Sequence, residues 1–244
     1  MISTAAVIET DAIGSGTEIG EFAVIRAGVQ LGRNVLVHPH VVIEPGVVIG
    51  DNVEILPGTY IGKRPRAAST RQWGARSVEF ETAVNIGDDC SIGPNAVIYY
   101  DVSIGENTLV GDGASIREQC SVGARNTIAR GVTLNYNAVT GDRTKIMDST
   151  HITGNCRIGD DVFISVLVMS TNDNNLGTKG YSEEFVVGPT IEDRAMIGAG
   201  ANLLPGVVIG SDAIVGAGSV VTKSVEAGTV VMGTPARFVR RVEG

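Results

Sequence analysis

Residues 86–134 read IGDDCSIGPNAVIYYDVSIGENTLVGDGASIREQCSVGARNTIARGVTL, and an aliphatic side chain returns at every sixth position: Ile86, Ile92, Ile98, Ile104, Val110, Ile116, Val122, Ile128 and Leu134. The same beat runs from Ile13 to Ile61, continues upward to Ser170, and resumes from Ile191 to Val221. Only Thr140 and Ser170 on the beat are not aliphatic. Four residues after each beat comes a small side chain, with Asn126 as the plain exception. A period of six excludes an amphipathic helix, which repeats every 3.6 residues. It fits a short strand followed by a corner, with the beat and the small residue pointing inward and the residue between them pointing out. Such a chain is a solenoid.

The residue after each beat counts the corners per coil. Taken at every third beat within each block, one column reads Gly14, Gly32, Gly50, Gly87, Gly105, Gly123, Gly141, Gly159, Glu192, Gly210; the column through Arg117 and Asn135 holds a single glycine, Gly62. Corners that recur with every third beat describe a triangular prism with three six-residue sides. About ten coils at roughly 4.8 Å each make it about 48 Å long. The alignment predicts that both interruptions, 62–85 and 171–190, leave from one edge.

Composition narrows the function. The 244 residues carry 27 acidic and 19 basic side chains, a formal charge of −8, the wrong sign for binding nucleic acid through phosphate neutralisation. No stretch approaches the roughly 18–20 apolar residues of a membrane span. The opening MISTAAVIETD lacks the basic head of a signal peptide. Glycine is abundant (32 residues) and aromatics are scarce at 5%, as frequent turning requires.

The hexad pattern resembles that of the left-handed parallel β-helix acyltransferases over nearly the whole chain, and the ending GSDAIVGAGSVVTKSVEAGTVVMGTPARFVRRV (residues 210–242) is similar to theirs. The resemblance implies an all-β, left-handed parallel β-helix over residues 1–234, then a short C-terminal helix or tail over 235–244. The stretch ITGNCRIGDDVFIS, followed by the loop after MSTNDNN, resembles the subgroup that acylates nucleotide-linked amino sugars. It implies acetyl-CoA or another acyl-CoA as co-substrate, a homotrimer with sites between prisms, and a coenzyme groove. In that groove the backbone near Gly200, Ala201 and Ser219 meets the pantetheine arm, and Lys223, Arg237 and Arg240 meet phosphates.

The residues themselves single out His151. It lies between the inward Thr150 and Ile152, so its imidazole leaves the prism beside the second loop, where a group titrating near neutrality can act as general base. Asp148, at the corner before it, is a candidate to orient that imidazole or bind an ammonium group. Asn135, Asn137 and Asn155 on adjacent coils, with Asn172 and Asp173 opening the loop, form a polar cluster suited to a sugar, although each is also a natural turn-former. The first loop concentrates five of the 19 basic residues, among them Arg66, with the only tryptophan, Trp73. A pyrophosphate and a stacked base would explain both, and the loop root lies about four coils, roughly 19 Å, from His151. Cys90, Cys120 and Cys156 take the small inward position, which marks them as buried fillers in a reducing cytoplasm. His38 and His40 are corner residues, and no metal spacing is present. The reading is therefore N-acyl transfer, with acetyl as the expected group, to a nucleotide-linked amino sugar. Another amine or hydroxyl acceptor, or a non-catalytic or metal-dependent trimeric β-helix, are the alternatives.

Overall fold

The computed structural model describes residues 1–64, 84–179 and 185–243. The strands, mostly two residues long, form three parallel sheets, the sides of a left-handed β-helix of about eleven turns. Face I runs from Val7–Ile8 through His151–Ile152 to Val220–Val221 in eleven strands. Face II runs from Gln30–Leu31 to Val208–Ile209 in nine. Face III holds twelve, starting at Glu18–Ile19. The chain visits the faces in the order I, II, III, and the usual register pairs residues three beats apart, as in Thr133↔His151. The first turn departs: Val7 pairs with Val24, one position short of that spacing. The missing position lies between Ile8 and Ile13, so this turn falls outside the hexad register and adds to the ten coils read from it.

The core is the beat itself. On face I, Ile25, Ile43, Ile61, Ile98, Ile116, Leu134 and Ile152 are each fully buried, one above another. Truncating such a side chain to alanine costs about 2–5 kcal/mol. The small inward column is more than filler. Thr17, Thr108, Thr144 and Thr150 each donate their hydroxyl to the carbonyl 15 residues ahead, at 2.8–3.1 Å. Cys90 and Cys120 do the same with their thiols, to Gly105 and Asn135. All three cysteines are free and buried, and burial pushes the Cys120 and Cys156 thiols up to about 12. Two of the three departures from the repeat, Asn126 and Thr140, explain each other: the Asn126 side-chain amide donates to the Thr140 hydroxyl at 3.0 Å and to Gly141 O at 2.8 Å.

The acidic excess has a structural use at the corner between faces II and III. There Asp51, Asp88, Asp142, Asp160 and Asp193 each accept a backbone N–H from the coil below, at 2.7–2.9 Å. Arg33, Arg143 and Arg194 pair with Asp51, Asp161 and Asp212 along the same edge.

The two interruptions leave face I, after Tyr60–Lys63 and Met169–Ser170, and the chain returns on face II at Asn85–Ile86 and Thr190–Ile191. They share one edge, as the column alignment predicts. The C-terminus differs from expectation. Instead of a helix from Pro235, residues Arg237–Arg241 form a strand antiparallel to Thr229–Met232. Left bare, the top strand of face III would present unpaired backbone groups to solvent, and the folded-back tail covers that edge with a charged strand. Among the described residues there is no helix, hence none long and apolar enough to cross a membrane.

Candidate functional site

His151 stands on face I, half-buried, with Thr133 one coil below and Met169 one coil above. Its Nδ1 lies 2.6 Å from the Thr133 hydroxyl. Burial pushes its pKa below the ordinary imidazole value, because the charged form loses hydration. The imidazole is therefore neutral at neutral pH, as a base must be. Above it the surface turns apolar: Met169, Leu167 and Val166 are all exposed.

Asp148 is not hydrogen-bonded to the imidazole. Its carboxylate takes the Arg130 guanidinium at 2.6 Å on the corner between faces III and I, and the hydroxyl of Thr133 is the group at Nδ1. Thr133 escaped the sequence reading although its signal was there, one full coil before His151 in the same column.

The asparagine cluster does come together, at the corner between faces I and II, but its polar groups are engaged. Asn137 donates to Asn155 at 2.8 Å, and Asn155 to Val186 O at 2.9 Å. Both take positive φ at the corner, which asparagine tolerates better than most residues. Asn172 donates to Gly154 O and to the Tyr136 hydroxyl. Asp173 accepts the amides of Asn175 and Gly177, each at 2.6 Å. This cluster anchors the root of the second loop. The Tyr136 ring packs against the bare backbone of Gly154, where a Cβ would stand 2.6 Å from it.

Down the same edge runs a row of cations and rings. Arg117 grips the buried Glu118 with two nitrogens, at 2.9 and 2.6 Å, and donates to Asn135 Oδ1 at 3.3 Å. Its guanidinium lies 5.6 and 5.9 Å from the Tyr99 and Tyr136 rings. Lys63 lies over Tyr99 and Arg64 over Tyr100. Next to them, Glu44, Tyr60, Gly62, Lys63, Arg64 and Val97 line a cleft of about 540 Å³ at the root of the first loop. Arg66 and Trp73 lie outside the described residues.

The expected coenzyme residues sit on different elements. Lys223 lies past face I on its corner with face II, whereas Arg237 and Arg240 are exposed on the closing strand of face III. The Gly200 amide donates to Val166 O, and those of Ala201 and Ser219 to Gly198 O and Gly216 O, so these three donors are committed within the coils. Gly200 and Gly218 leave their corners open: a Cβ at either would meet nothing within 4 Å. His38 pairs with Glu54 and His40 stacks on Phe22. Among the described residues no three His, Cys, Asp or Glu side chains are grouped to hold a metal.

The six-residue beat has a family counterpart. The bacterial transferase hexapeptide (six repeats) profile matches residues 12–44, 28–63, 83–118, 101–135 and 188–223, more than half of the chain. The chain belongs to that family. The resemblance read in the sequence is thereby met, and as a hexapeptide-family member the chain is a transferase. No curated protein matches it in sequence. Among solved structures, a UDP-N-acetylglucosamine acyltransferase from Arabidopsis is similar at TM-score 0.64 and 22% identity, covering 99% of this chain and 74% of its own. A point mutant of AntD, an N-acyltransferase from Bacillus cereus in complex with dTDP and coenzyme A, is similar at TM-score 0.51 and 24% identity, covering 57% of this chain and 83% of its own. At these identities the likeness is one of fold.

Proposed function

We propose that this hexapeptide transferase moves an acyl group, acetyl in the first instance, from an acyl-CoA to the amine of a nucleotide-linked amino sugar. The observation that carries the reading is the half-buried imidazole of His151 on the outer surface of a face, its Nδ1 against the Thr133 hydroxyl, beneath an apolar rim. The amine attacks the thioester carbonyl directly. As its nitrogen becomes cationic, His151 takes the excess proton, a contribution on the order of 10²–10⁴-fold. The coenzyme thiolate leaves, with no acyl-enzyme on cysteine, because burial holds Cys90, Cys120 and Cys156 as thiols. Met169 and Leu167 bound the space for the acyl chain.

The edge below His151 supports a nucleotide diphosphate. Lys63, Arg64 and Arg117 offer cations and Tyr99 and Tyr136 offer rings, within roughly 19 Å, about four coils, of the imidazole. Arg66 and Trp73 belong to the same proposed subsite. Arg237 and Arg240, exposed beyond the open Gly200 and Gly218 corners, suit the coenzyme phosphates. Lys223 joins them from a neighbouring prism in the homotrimer proposed here. Three free buried thiols fit a cytoplasmic setting. A hydroxyl acceptor is the second reading, favoured by the whole-chain likeness to a UDP-N-acetylglucosamine acyltransferase.

A thermal-shift panel of acyl-CoAs crossed with uridine and thymidine diphosphate sugars, with amino and hydroxyl acceptors side by side, tests the proposal. Stabilisation grows with ligand concentration over Kd. Shifts with acetyl-CoA and with one amino-sugar nucleotide support it. No shift with any acyl-CoA refutes it.

A further inference from the structure

Among the described residues the imidazole at the centre of the site has one hydrogen-bond partner, and that partner is not a carboxylate. Thr133 is in register with His151 on the strand below, and its Oγ1 lies 2.6 Å from Nδ1. Threonine is stiff at χ1, so its hydroxyl is presented from a fixed place on a rigid sheet.

We infer that Thr133 is the positioning residue of the site: its hydroxyl oxygen accepts the Nδ1 proton of the neutral imidazole, so that Nε2 carries the lone pair offered to the acceptor. The inference rests on the reading of His151 as base and names what makes that base competent. The hydrogen bond at one ring nitrogen decides which nitrogen keeps the proton. Histidine free in water favours the proton on Nε2, and in that form Nε2 cannot take another from substrate. A base acting through Nε2 therefore needs an acceptor at Nδ1, and Thr133 is at hand. Among the described residues Nε2 has no hydrogen-bond partner.

Among the described residues no charged side chain hydrogen-bonds the ring. Thr133 faces it from below and the neutral Met169 from above. At the corner leading into the strand, the Asp148 carboxylate is held by Arg130. A carboxylate at Nδ1 would favour the imidazolium and raise its pKa, whereas a hydroxyl does not. The chain thus gives up basicity and keeps the ring unprotonated at neutral pH. That suits an amine whose acidity increases steeply as it bonds to the carbonyl carbon.

Nitrogen-15 NMR of the histidine side chains tests the contact directly. The chain has three histidines, and His151→Asn identifies the signals of His151 by their loss. The wild type is expected to show a protonated Nδ1 and an unprotonated Nε2. Thr133→Val is expected to move both nitrogens toward the averaged shifts of an exchanging ring and to lower kcat about tenfold with KM unaltered. Thr133→Ser restores both. A wild type protonated on Nε2, or a Thr133→Val spectrum like that of wild type, overturns the inference. The spectra need no substrate, so they fail only if the contact is wrong. Unaltered turnover by His151→Ala fails the reaction instead.

Discussion

Replacing Asn126 by valine and, separately, by threonine asks whether the small inward column is a hydrogen-bonded ladder or merely a space-filling one. The Asn126 oxygen accepts the Thr144 amide at 2.6 Å, and its nitrogen donates to Gly141 O, to the Thr140 hydroxyl and to Gly123 O, at 2.8, 3.0 and 3.2 Å. Two amide hydrogens can make only two full bonds, so valine removes three bonds of about 1 kcal/mol each. The buried Thr144 amide, left without an acceptor, adds about 1–3 kcal/mol. Burying the valine returns about 2 kcal/mol, for a net loss of about 2–4 kcal/mol. Threonine keeps both ladder bonds, as Thr108 and Thr144 make them in the same column. It gives up only the tie to Thr140, about 1 kcal/mol. Adding Thr140→Val to Asn126→Thr restores the beat and recovers most of that. Urea unfolding of the three variants, with hydrogen exchange at the Thr144 amide, reads the difference; solenoid stability is nearly a sum over neighbouring coils, so the effect stays local. Equal losses for valine and threonine would refute the ladder.

Two further predictions concern charge and specificity. Arg33, Arg143 and Arg194 hold the carboxyls of Asp51, Asp161 and Asp212 below their ordinary value of 3.8. With the folded values below the unfolded ones, this stabilisation is full above the ordinary carboxylate range and is lost as pH falls through the folded values. Tm should therefore decline from about pH 5 to about pH 2, and Arg143→Ala should lessen the decline; a Tm indifferent to acid contradicts this. Met169→Ala should raise kcat/KM for a longer acyl-CoA relative to acetyl-CoA about tenfold, measured by competition between the two donors. An unchanged ratio would take Met169 out of the acyl space.

The prism, its common loop edge and the outward aim of His151 were legible because each follows from the hexad register: Ile152 must point in, so His151 points out. The closing strand at Arg237–Arg241 was not, since it answers an exposed sheet edge that exists only once the coils are stacked. The register also brings Asn137, Asn155, Asn172 and Asp173 to one corner. It could not show that their hydrogen bonds are spent on the loop root, because whether a polar group is free depends on partners a coil or more away. For the same reason Asp148 looked available to the imidazole, while Arg130, one coil below it, holds the carboxylate. Thr133 was within reach of the register but carries no chemical signature of its own.

Turnover by His151→Ala, followed from about pH 5 to about pH 9 with the donor and acceptor that stabilise the wild type, bears most directly on the site. The wild type should rise with pH through a midpoint below 6.5, as the imidazole gives up its proton. The variant should fold normally, lose on the order of 10²–10⁴-fold in kcat and lack that limb. A variant with wild-type turnover and the same pH profile would show that the proton goes elsewhere.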